Sequence, residues 1–319
     1  MDECWQLIAR LVEETLRGEP LTEAYATAIL RRIDRWAGAA TPELSVARLP
    51  LLACQAVGGT LDRAVPVGAA WQMLHIAAKL FDDIEDGDAN DPAADLNLAT
   101  GVLTTVPLLL ATLDAPLAEI QQLTQAAQRA VLVASAGQHA DLLAARADAA
   151  AVDPERWLSI ARAKSGALLG WAAWAGALVG GANAATLDHF RSYGEQLGVL
   201  LQIADDFVGI WRPEHISDLA ARRLSLPVCY ALSVVAPDER PALNSLLECA
   251  AAHDVPSQQA ARQQLIDLGA QAYLAVTARV FQQHALAALR EVDPASQMTQ
   301  PLAALVEDLF PRLTPLNRT

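Results

Sequence analysis

The sequence is poor in positive charge. Only two lysines, Lys79 and Lys164, occur in 319 residues, and the 23 basic side chains face 37 acidic ones. The formal net charge of −14 argues against nucleic acid or an anionic membrane as a partner, because the mean field of the protein would attract neither. The same field would repel an anionic small molecule. Such a ligand would therefore need positive charge recruited from elsewhere.

Other absences bear on the compartment and on membrane insertion. The four cysteines include no C-x-x-C pair, so they predict buried thiols in a reducing compartment. The acidic opening of the chain lacks the apolar region of a secretory signal. The most membrane-like stretch, Ser165–Ala182, lies at the lower length limit for a span and has acidic or arginine-rich flanks, so we expect a buried core helix. We predict a cytoplasmic protein with no stable membrane insertion.

Almost every segment predicts helix. Apolar residues recur at three- and four-residue spacing, and no alternating strand pattern or Asn-Gly hairpin interrupts them. Four capping residues precede a proline at a predicted helix start, in Thr41-Pro42, Asp91-Pro92, Asp153-Pro154 and Asp293-Pro294. The longest predicted helices are Trp5–Leu16, Leu21–Trp36, Val65–Asp86, Leu117–Ala145, Trp157–Gly180 and Leu187–Trp211. We predict an all-α protein in which residues 1–319 form one domain, a bundle of long helices with apolar helices at its centre.

The first acidic cluster ends an apolar helix, and Gly87 is its predicted C-terminal cap. Five carboxylates fall in the seven positions 82–88. They face the negative end of the helix dipole and repel one another, so the cluster opposes local stability. Asp82 and Asp86 share one helix face, which indicates that this face lines a cavity. The face continues backwards through two further polar residues, Lys79 and His75.

The second acidic cluster, Asp205 and Asp206, also ends a long apolar helix. Gln202 and Asp205 share a face of that helix. Carboxylate oxygens at two helix ends suit Mg2+, which binds one or two carboxylates and completes its shell with water and substrate phosphate. Each cluster alone could be a solvated helix end. With two clusters, however, the unfavourable interaction between carboxylates and the helix dipole occurs twice and must be offset twice, which favours a bound cation. Calcium fits less well, because neither cluster has the alternating loop ligands of an EF-hand.

Five segments of the sequence occur in an order that matches one known family. They read Leu74-His75-x6-Asp82-Asp83-Ile84-Glu85-Asp86, Gly137-Gln138-His139-Ala140-Asp141-Leu142, Lys164-Ser165-Gly166-Ala167-Leu168, Gly198-x3-Gln202-Ile203-Ala204-Asp205-Asp206 with Gly209-Ile210-Trp211, and Ser225-Leu226-Pro227-Val228-Cys229-Tyr230-Ala231-Leu232. They resemble the trans-isoprenyl diphosphate synthase (polyprenyl synthetase) family in its two aspartate-rich motifs, its G-Q-x-x-D-L helix, its Lys-Thr segment and the segment after the second motif. The resemblance implies the isoprenoid synthase fold, a helical bundle around a central apolar cavity, and a homodimer.

By this resemblance, three Mg2+ ions bound by Asp82, Asp86 and Asp205 would hold an allylic prenyl diphosphate. Asp83 and Asp206 would be acidic neighbours of these ligands. The metal ions would supply the missing positive field and withdraw charge from the departing diphosphate, which would leave an allylic carbocation in an apolar cavity.

The resemblance also gives expected roles to other side chains. Lys164 would contact the diphosphate as a point charge. Ser165 and Gln202, at the family's Thr and Gln positions, would orient the reacting groups near the cation. Gln138 and Arg223 would bind substrate. Either Arg222 or Arg223 stands at the position where the family has lysine.

Four residues on the first acidic helix have expected roles in substrate binding or product length. His75 stands where the family has a ligand for isopentenyl diphosphate; the alternative is a hydrogen-bonded core histidine. Ala77 and Ala78 occupy the positions whose bulk limits product length, and their small size favours a long substrate. Lys79 would either form an intrahelical ion pair or supply a phosphate contact.

The sequence departs from the family where isopentenyl diphosphate should bind. The family's Gly-Lys-Arg-x-Arg-Pro segment falls on Ser45–Pro50, which keeps one arginine, out of register. Asp88–Thr100 contains no basic residue, and the Gly-Lys expected after the second motif is missing. Each lost charge-assisted contact would weaken diphosphate binding by about 1.5–3 kcal/mol. The allylic and metal site is thus expected to be usable and the isopentenyl site impaired.

Three functions are compatible with this sequence. The first is a chain-elongating prenyltransferase that joins the allylic cation to an acceptor such as isopentenyl diphosphate. The second is a terpene-cyclase-like enzyme, which needs a single prenyl diphosphate. The third is a non-catalytic partner subunit of another synthase, which fits the lost basic residues but not the retained acidic ones.

Overall fold

The structure is a computed structural model that describes residues 2–17, 22–38, 46–146, 153–212, 218–221, 223, 225–252, 254–292 and 297–309. Every regular element in these ranges is a helix, which confirms the predicted all-α class. The prediction of a single domain over residues 1–319 stays a prediction.

The helices of the first half of the chain are α1 (Asp2–Leu16), α2 (Thr22–Gly38), α3 (Leu49–Ala56), α4 (Leu61–Glu85), α5 (Pro92–Leu110) and α6 (Leu117–Arg146). The helices of the second half are α7 (Pro154–Ala161), α8 (Ala167–Val179), α9 (Ala184–Trp211), α10 (Leu226–Val234), α11 (Arg240–Ala251), α12 (Val255–Asp267), α13 (Ala270–Val292) and α14 (Gln300–Glu307). Between α7 and α8 the chain forms one π-helical turn, Arg162–Gly166.

Two of the predicted helix starts are confirmed by their capping bonds. The Asp91 carboxylate accepts a hydrogen bond from the Ala94 amide (3.1 Å), and Asp153 accepts one from the Arg156 amide (2.8 Å). The predicted starts at Thr41-Pro42 and Asp293-Pro294 lie outside the described residues.

The observed helices differ from the predicted ones mainly at two places. α4 begins at Leu61, four residues before the predicted start at Val65. The predicted helix Trp157–Gly180 is instead α7, the π-turn and α8. Its second part is buried almost throughout, as predicted for a core helix.

The described contacts divide the chain into two compact units. Unit 1 comprises Met1–Val131, Leu168–Gly194 and Ala288–Leu305, and unit 2 comprises Leu132–Ala167, Glu195–Ala287 and Val306–Thr319. The first acidic cluster therefore belongs to unit 1 and the second to unit 2.

Unit 1 is built around α4, whose buried polar side chains bind the backbone before α3. The Trp71 indole donates a hydrogen bond to the Val46 carbonyl (2.8 Å), and the Gln72 amide donates one to the Ala47 carbonyl (2.7 Å). α8 packs against α3 through Gly176, where any side chain would overlap the Pro50 backbone. These contacts hold residues 46–50 firmly against the core.

Unit 2 has an apolar core below the end of α9. Ile210 packs there with buried residues of the following helices, among them Val228 of α10, Leu243 of α11 and Leu265 of α12. The Arg262 side chain donates a hydrogen bond to the Ile210 carbonyl (2.6 Å), which satisfies an acceptor in the last turn of α9. This packing fixes the helix end that carries Asp205 and Asp206.

One helix of the described residues, α5, is long and apolar enough to cross a membrane by length and composition. Its mean hydropathy is 1.4, and 39% of it is buried in the structure. It packs against α4, yet Leu96 and Leu108 are 50% and 56% exposed. Core helices of soluble proteins share this composition, so the length and apolar composition of α5 do not by themselves show that it spans a membrane.

Candidate active site

The first acidic cluster lies at the C-terminal end of α4. Gly87 has a φ of +79° and ends the helix, as predicted, because glycine adopts this left-handed conformation without strain. The amides of Asp88 and Ala89 both donate hydrogen bonds to the Asp83 carbonyl (2.8 and 3.0 Å). The side chains of Asp82 and Asp83 are each about a third exposed, so solvent ions can reach their carboxylates.

Lys79 forms the intrahelical ion pair that the sequence offered as one of its two roles. Its Nζ lies 2.8 Å from the Asp83 carboxylate and 4.0 Å from that of Asp82. Burial lowers the pKa of Lys79, but the hydrogen bond to Asp83 and the charges of the three nearby aspartates raise it further, so the net shift is upward. The lysine is thus held in its charged form. Because its side chain is 57% exposed, the pair contributes only a few tenths of a kcal/mol.

The remaining predicted residues of α4 follow the cluster backwards along the helix. His75 is half-buried and stacks on Trp71, with ring centroids 5.5 Å apart and an angle of 16° between the ring planes. Ala77 is buried and Ala78 half-buried. The last three turns of α4 therefore carry His75, Lys79 and the first part of the acidic cluster, and Asp86 and Asp88 follow directly after the helix.

The π-turn carries Lys164 and Ser165, and two glycines allow other helices to approach it closely. A side chain on Gly137 of α6 would place its Cβ 2.5 Å from the Lys164 amide nitrogen. A side chain on Gly198 of α9 would place its Cβ 2.7 Å from the Ser165 carbonyl carbon and from the Gly166 backbone. The glycines that open two of the recognised motifs thus pack directly on the backbone of the third.

This packing brings the predicted residues of unit 2 together. The Lys164 Nζ lies 3.3 Å from the Asp141 carboxylate of α6. Gln138 lies one residue after Gly137, and Gln202 lies one turn after Gly198. The structure therefore places Lys164 and Ser165 in a π-turn that α6 contacts one residue before Gln138 and that α9 contacts one turn before Gln202.

Asp206 joins the end of α9 to the start of α10. Its carboxylate accepts a hydrogen bond from the Leu226 amide (2.6 Å), one of the unpaired donors at the N-terminus of α10. Burial raises the pKa of Asp206 well above its ordinary value; the Leu226 amide opposes this, while the charges of Asp218, Asp205 and Asp141 add to it. A nearby cation would lower the free energy of this crowded acidic site.

The arrangement fits Mg2+ as a cofactor. Within the described ranges, no three carboxylate, imidazole or thiol groups enclose a metal site on their own. Mg2+ does not require such a cage, because it binds through one or two carboxylates and takes its other ligands from water and phosphate. The exposed Asp205 and the partly exposed Asp82 suit this mode of binding.

The polyprenyl synthetase family model matches residues 47–265, more than half of the chain. The chain belongs to the polyprenyl synthetase family. This confirms the family that the five sequence segments indicated.

Curated members of the family match part of the chain. The geranylgeranyl diphosphate synthase of Mycobacterium tuberculosis is 30% identical over 204 residues, which cover 59% of this chain and 57% of that protein. The short chain isoprenyl diphosphate synthase of Methanothermobacter thermautotrophicus is 28% identical over 216 residues, which cover 62% of this chain and 66% of that protein. The chain therefore matches less than two thirds of the length of these relatives.

Solved polyprenyl synthetase structures share the fold along nearly the whole chain. The geranylgeranyl pyrophosphate synthetase of Pyrococcus horikoshii gives a TM-score of 0.83 at 20% identity, over 97% of this chain and 98% of that one. A polyprenyl synthase of Caulobacter crescentus, solved with calcium and isoprenyl diphosphate, gives 0.79 at 20% identity, over 98% and 95%.

Apolar core residues occupy most of the segment where the family's basic residues are expected. Val46, Ala47 and Leu49 are at most 4% exposed, and α4 holds the carbonyls of the first two. Arg48, the one arginine, stands between them at the start of α3 and is half-buried. Buried apolar side chains therefore stand where the family's basic residues are expected.

Asp218 is a site residue that the sequence did not single out. Its carboxylate lies against Gly209 in the last turn of α9, where a side chain would overlap it. Its Oδ1 lies 3.3 Å from the Nη1 of Arg223, the predicted substrate-binding arginine. A lone aspartate in a non-helical segment carries no periodic signal, so only the fold reveals the contact.

Replacement of Gly198 by alanine should disturb the π-turn. The added methyl group meets backbone atoms that cannot rotate away, so we expect Gly198→Ala to lower the free energy of unfolding by about 1–3 kcal/mol in urea denaturation. Gly68→Ala is the matched control, because that helical glycine faces flexible side-chain carbons of Ile8 and Leu51 at 3.2–3.3 Å. The control should stay within about 1 kcal/mol of wild type. Equal stability of both variants would contradict the close packing of α9 on the π-turn.

Proposed function

We propose that this protein is a Mg2+-dependent prenyltransferase that ionises an allylic prenyl diphosphate and couples the cation to an acceptor such as isopentenyl diphosphate. The observation that carries the proposal is the position of the Lys164–Asp141 ion pair on the π-turn against which α9 packs through Gly198, two turns before its acidic end. A lysine beside carboxylates that bind metal is an arrangement that suits a diphosphate, because the anion can bind the lysine and the metal ions together.

The relatives support this substrate class. One curated relative is named a geranylgeranyl diphosphate synthase, and one solved neighbour holds isoprenyl diphosphate and calcium. We propose a substrate of the same class for this chain, with Mg2+ as the physiological metal and three ions in the complete site.

The metal ligands in this proposal are Asp82 of α4, Asp86 directly after that helix and Asp205 of α9, with Asp83 and Asp206 as acidic neighbours. Bound Mg2+ would offset the charge of the diphosphate and make it a better leaving group. Asp206 is also bound to the Leu226 amide, so it orients the end of α9 that presents Asp205. Asp206 would thus act both as an acidic neighbour of the metal ligands and as the acceptor that joins α9 to α10.

The other proposed residues act on the allylic C–O bond, Lys164 at the diphosphate oxygen and Ser165 and Gln202 at the prenyl carbon. Lys164 would donate hydrogen bonds to the diphosphate, with Asp141 holding its ammonium group in place. The electron pair of the allylic C–O bond leaves with the diphosphate, and positive charge develops on the prenyl carbon. The oxygen dipoles of Ser165 and Gln202, next to Lys164 and Asp205 on their helices, would stabilise that charge.

Removal of a proposed metal ligand should abolish turnover. We expect Asp205→Ala and Asp82→Ala to reduce pyrophosphate release from geranyl diphosphate in Mg2+ by at least about 100-fold, as the loss of residues that support metal sites already costs 10–100-fold. Asp188→Ala is the control, because Asp188 is an exposed carboxylate at the other end of α9. An Asp205→Ala enzyme as active as the control would exclude the metal assignment.

A second candidate function has a specific observation in its favour. Val46, Ala47 and Leu49 are apolar and buried, so a second diphosphate would lack the basic contacts expected from that segment. A terpene-cyclase-like enzyme needs one diphosphate only, and it would be unaffected. Trp71, Trp171 and Trp174 could stabilise its carbocations through their ring faces. Two of their ring systems already have other contacts, since Trp71 stacks on His75 and Arg191 lies 4.9 Å from the Trp174 ring centroid.

The acceptor is tested by product analysis with geranyl, farnesyl or geranylgeranyl diphosphate, with and without isopentenyl diphosphate. For the prenyltransferase we expect longer diphosphates only with isopentenyl diphosphate. The KM for isopentenyl diphosphate should exceed the KM for the allylic substrate by at least about 100-fold, because two or more charge-assisted contacts are missing from the isopentenyl site. Hydrocarbons or alcohols formed without isopentenyl diphosphate would instead establish the cyclase-like function. No turnover under any of these conditions would contradict both enzyme functions and support a non-catalytic partner subunit.

We also propose that the protein is a homodimer joined through the exposed face of α5. Leu96, Thr100, Thr104 and Leu108 follow one another at four-residue spacing on this face, and all four are exposed. A second copy that covers this face would bury both leucines, which accounts for them without membrane insertion. We propose a cytoplasmic location as well; the three cysteines described with side chains are all free thiols, which a reducing compartment maintains.

Charge on this face should separate the protomers. We expect Leu96→Glu combined with Leu108→Glu to shift the mass measured by light scattering from dimer to monomer, because the dimer would bury four unpaired carboxylates. Val276→Glu is the control, since Val276 is 66% exposed on α13. A dimer that persists in the double variant would show that α5 is not the interface, and binding of the wild type to lipid vesicles would favour a membrane role.

A further inference from the structure

The segment after α9 returns to that helix through Asp218. The Asp218 amide donates a hydrogen bond to the Gly209 carbonyl (3.1 Å), one turn beyond Asp205. The Asp218 carboxylate fills the space next to Gly209, because that residue has no side chain. Its side chain is only 10% exposed. Asp218 is therefore fixed on α9 by its backbone and by its side chain.

Asp218 in turn fixes Arg223 at two points. The Arg223 amide donates a hydrogen bond to the Asp218 carbonyl (3.0 Å), and the Arg223 Nη1 lies 3.3 Å from the Asp218 Oδ1. The Arg223 carbonyl accepts a hydrogen bond from the Ser225 amide (3.1 Å), directly before α10. Both the backbone and the guanidinium of this arginine are thus tied to the end of α9.

The side chains of Arg223 and Asp218 differ in exposure, and only the arginine is accessible to a ligand. The Arg223 side chain is 35% exposed, whereas that of Asp218 is almost buried. Solvent ions can therefore reach the guanidinium but hardly reach the carboxylate that holds it. Burial raises the pKa of Asp218 above its ordinary value, and the charge and hydrogen bond of Arg223 reduce this upward shift.

We infer that Asp218 is a positioning residue that orients Arg223 toward the diphosphate at the acidic end of α9. This inference rests on the proposed function. Arginine has a rigid fork of N–H donors that matches phosphate oxygens, and its benefit depends on how well the fork is oriented before binding. Asp218 supplies that orientation, and Gly209 makes the space for it.

The test is a double-mutant cycle on diphosphate affinity. Asp218→Asn keeps the shape of the side chain and removes its charge, and Arg223→Ala removes the guanidinium. The measurements are the KM and kcat for geranyl diphosphate, together with the inhibition constant of inorganic pyrophosphate in Mg2+. We expect Asp218→Asn to raise the KM and the inhibition constant about tenfold, with a smaller change in kcat. In the Arg223→Ala background the same substitution should have almost no effect.

A second variant and a control guard against a purely structural effect. Gly209→Ala displaces the Asp218 carboxylate without changing any charge, so it should reproduce the loss of affinity. Asp238→Asn, at an exposed position of the same unit, should behave as wild type. Circular dichroism and urea denaturation establish that each variant is folded.

The outcomes separate the inference from the proposed function. If wild type releases no pyrophosphate from any allylic diphosphate in Mg2+, the proposed function fails. If wild type is active but Asp218→Asn leaves the affinity unchanged, or lowers it equally in the Arg223→Ala background, the positioning role is wrong. If Asp218→Asn does not fold, Gly209→Ala decides: unchanged affinity in that variant would also overturn the role.

Discussion

Repulsion between carboxylates at two helix ends is the constraint that the surrounding contacts of each unit partly offset. Both acidic clusters stand where the helix dipole is negative, in a chain with a net charge of −14. Each unit offsets this locally: Lys79 pairs with Asp83 in unit 1, and Lys164 pairs with Asp141 in unit 2. The Leu226 amide binds Asp206. These contacts leave carboxylates accessible to ions, so the binding of metal and substrate would relieve repulsion that folding leaves in place.

The sequence predicts the helices and the motifs well, because both depend on local patterns. Helical periodicity locates α1, α6 and α9 to within a few residues, and aspartate caps before proline mark the starts of α5 and α7. The acidic clusters are visible as runs of charge at the ends of apolar helices. Their ligand roles remain predictions, because a run of charge at a helix end does not by itself define a metal site.

Other features could not be read from the sequence because they depend on contacts between distant segments. Asp218 contacts Gly209 and Arg223, and no local pattern in the sequence links it to either of these two recognised positions. The burial of Val46 and Ala47 depends on hydrogen bonds from α4 to the backbone before α3. The exposed leucines of α5 have the same apolar periodicity as buried ones, so periodicity alone could not assign them to the surface.

The π-turn at Arg162–Gly166 has a consequence for the phase of the helix around it. A π-turn accommodates one residue more than an α-helical turn. The extra residue is taken up within the turn, so the apolar faces of α7 and α8 keep the alignment that they would have in one continuous α-helix. A chain that lost one residue here could form an unbroken α-helix from α7 into α8 with its apolar faces unchanged. Lys164 or its neighbour would then point about 100° away from its present direction. The register of this single turn therefore controls the direction of a charged side chain independently of how the helices pack.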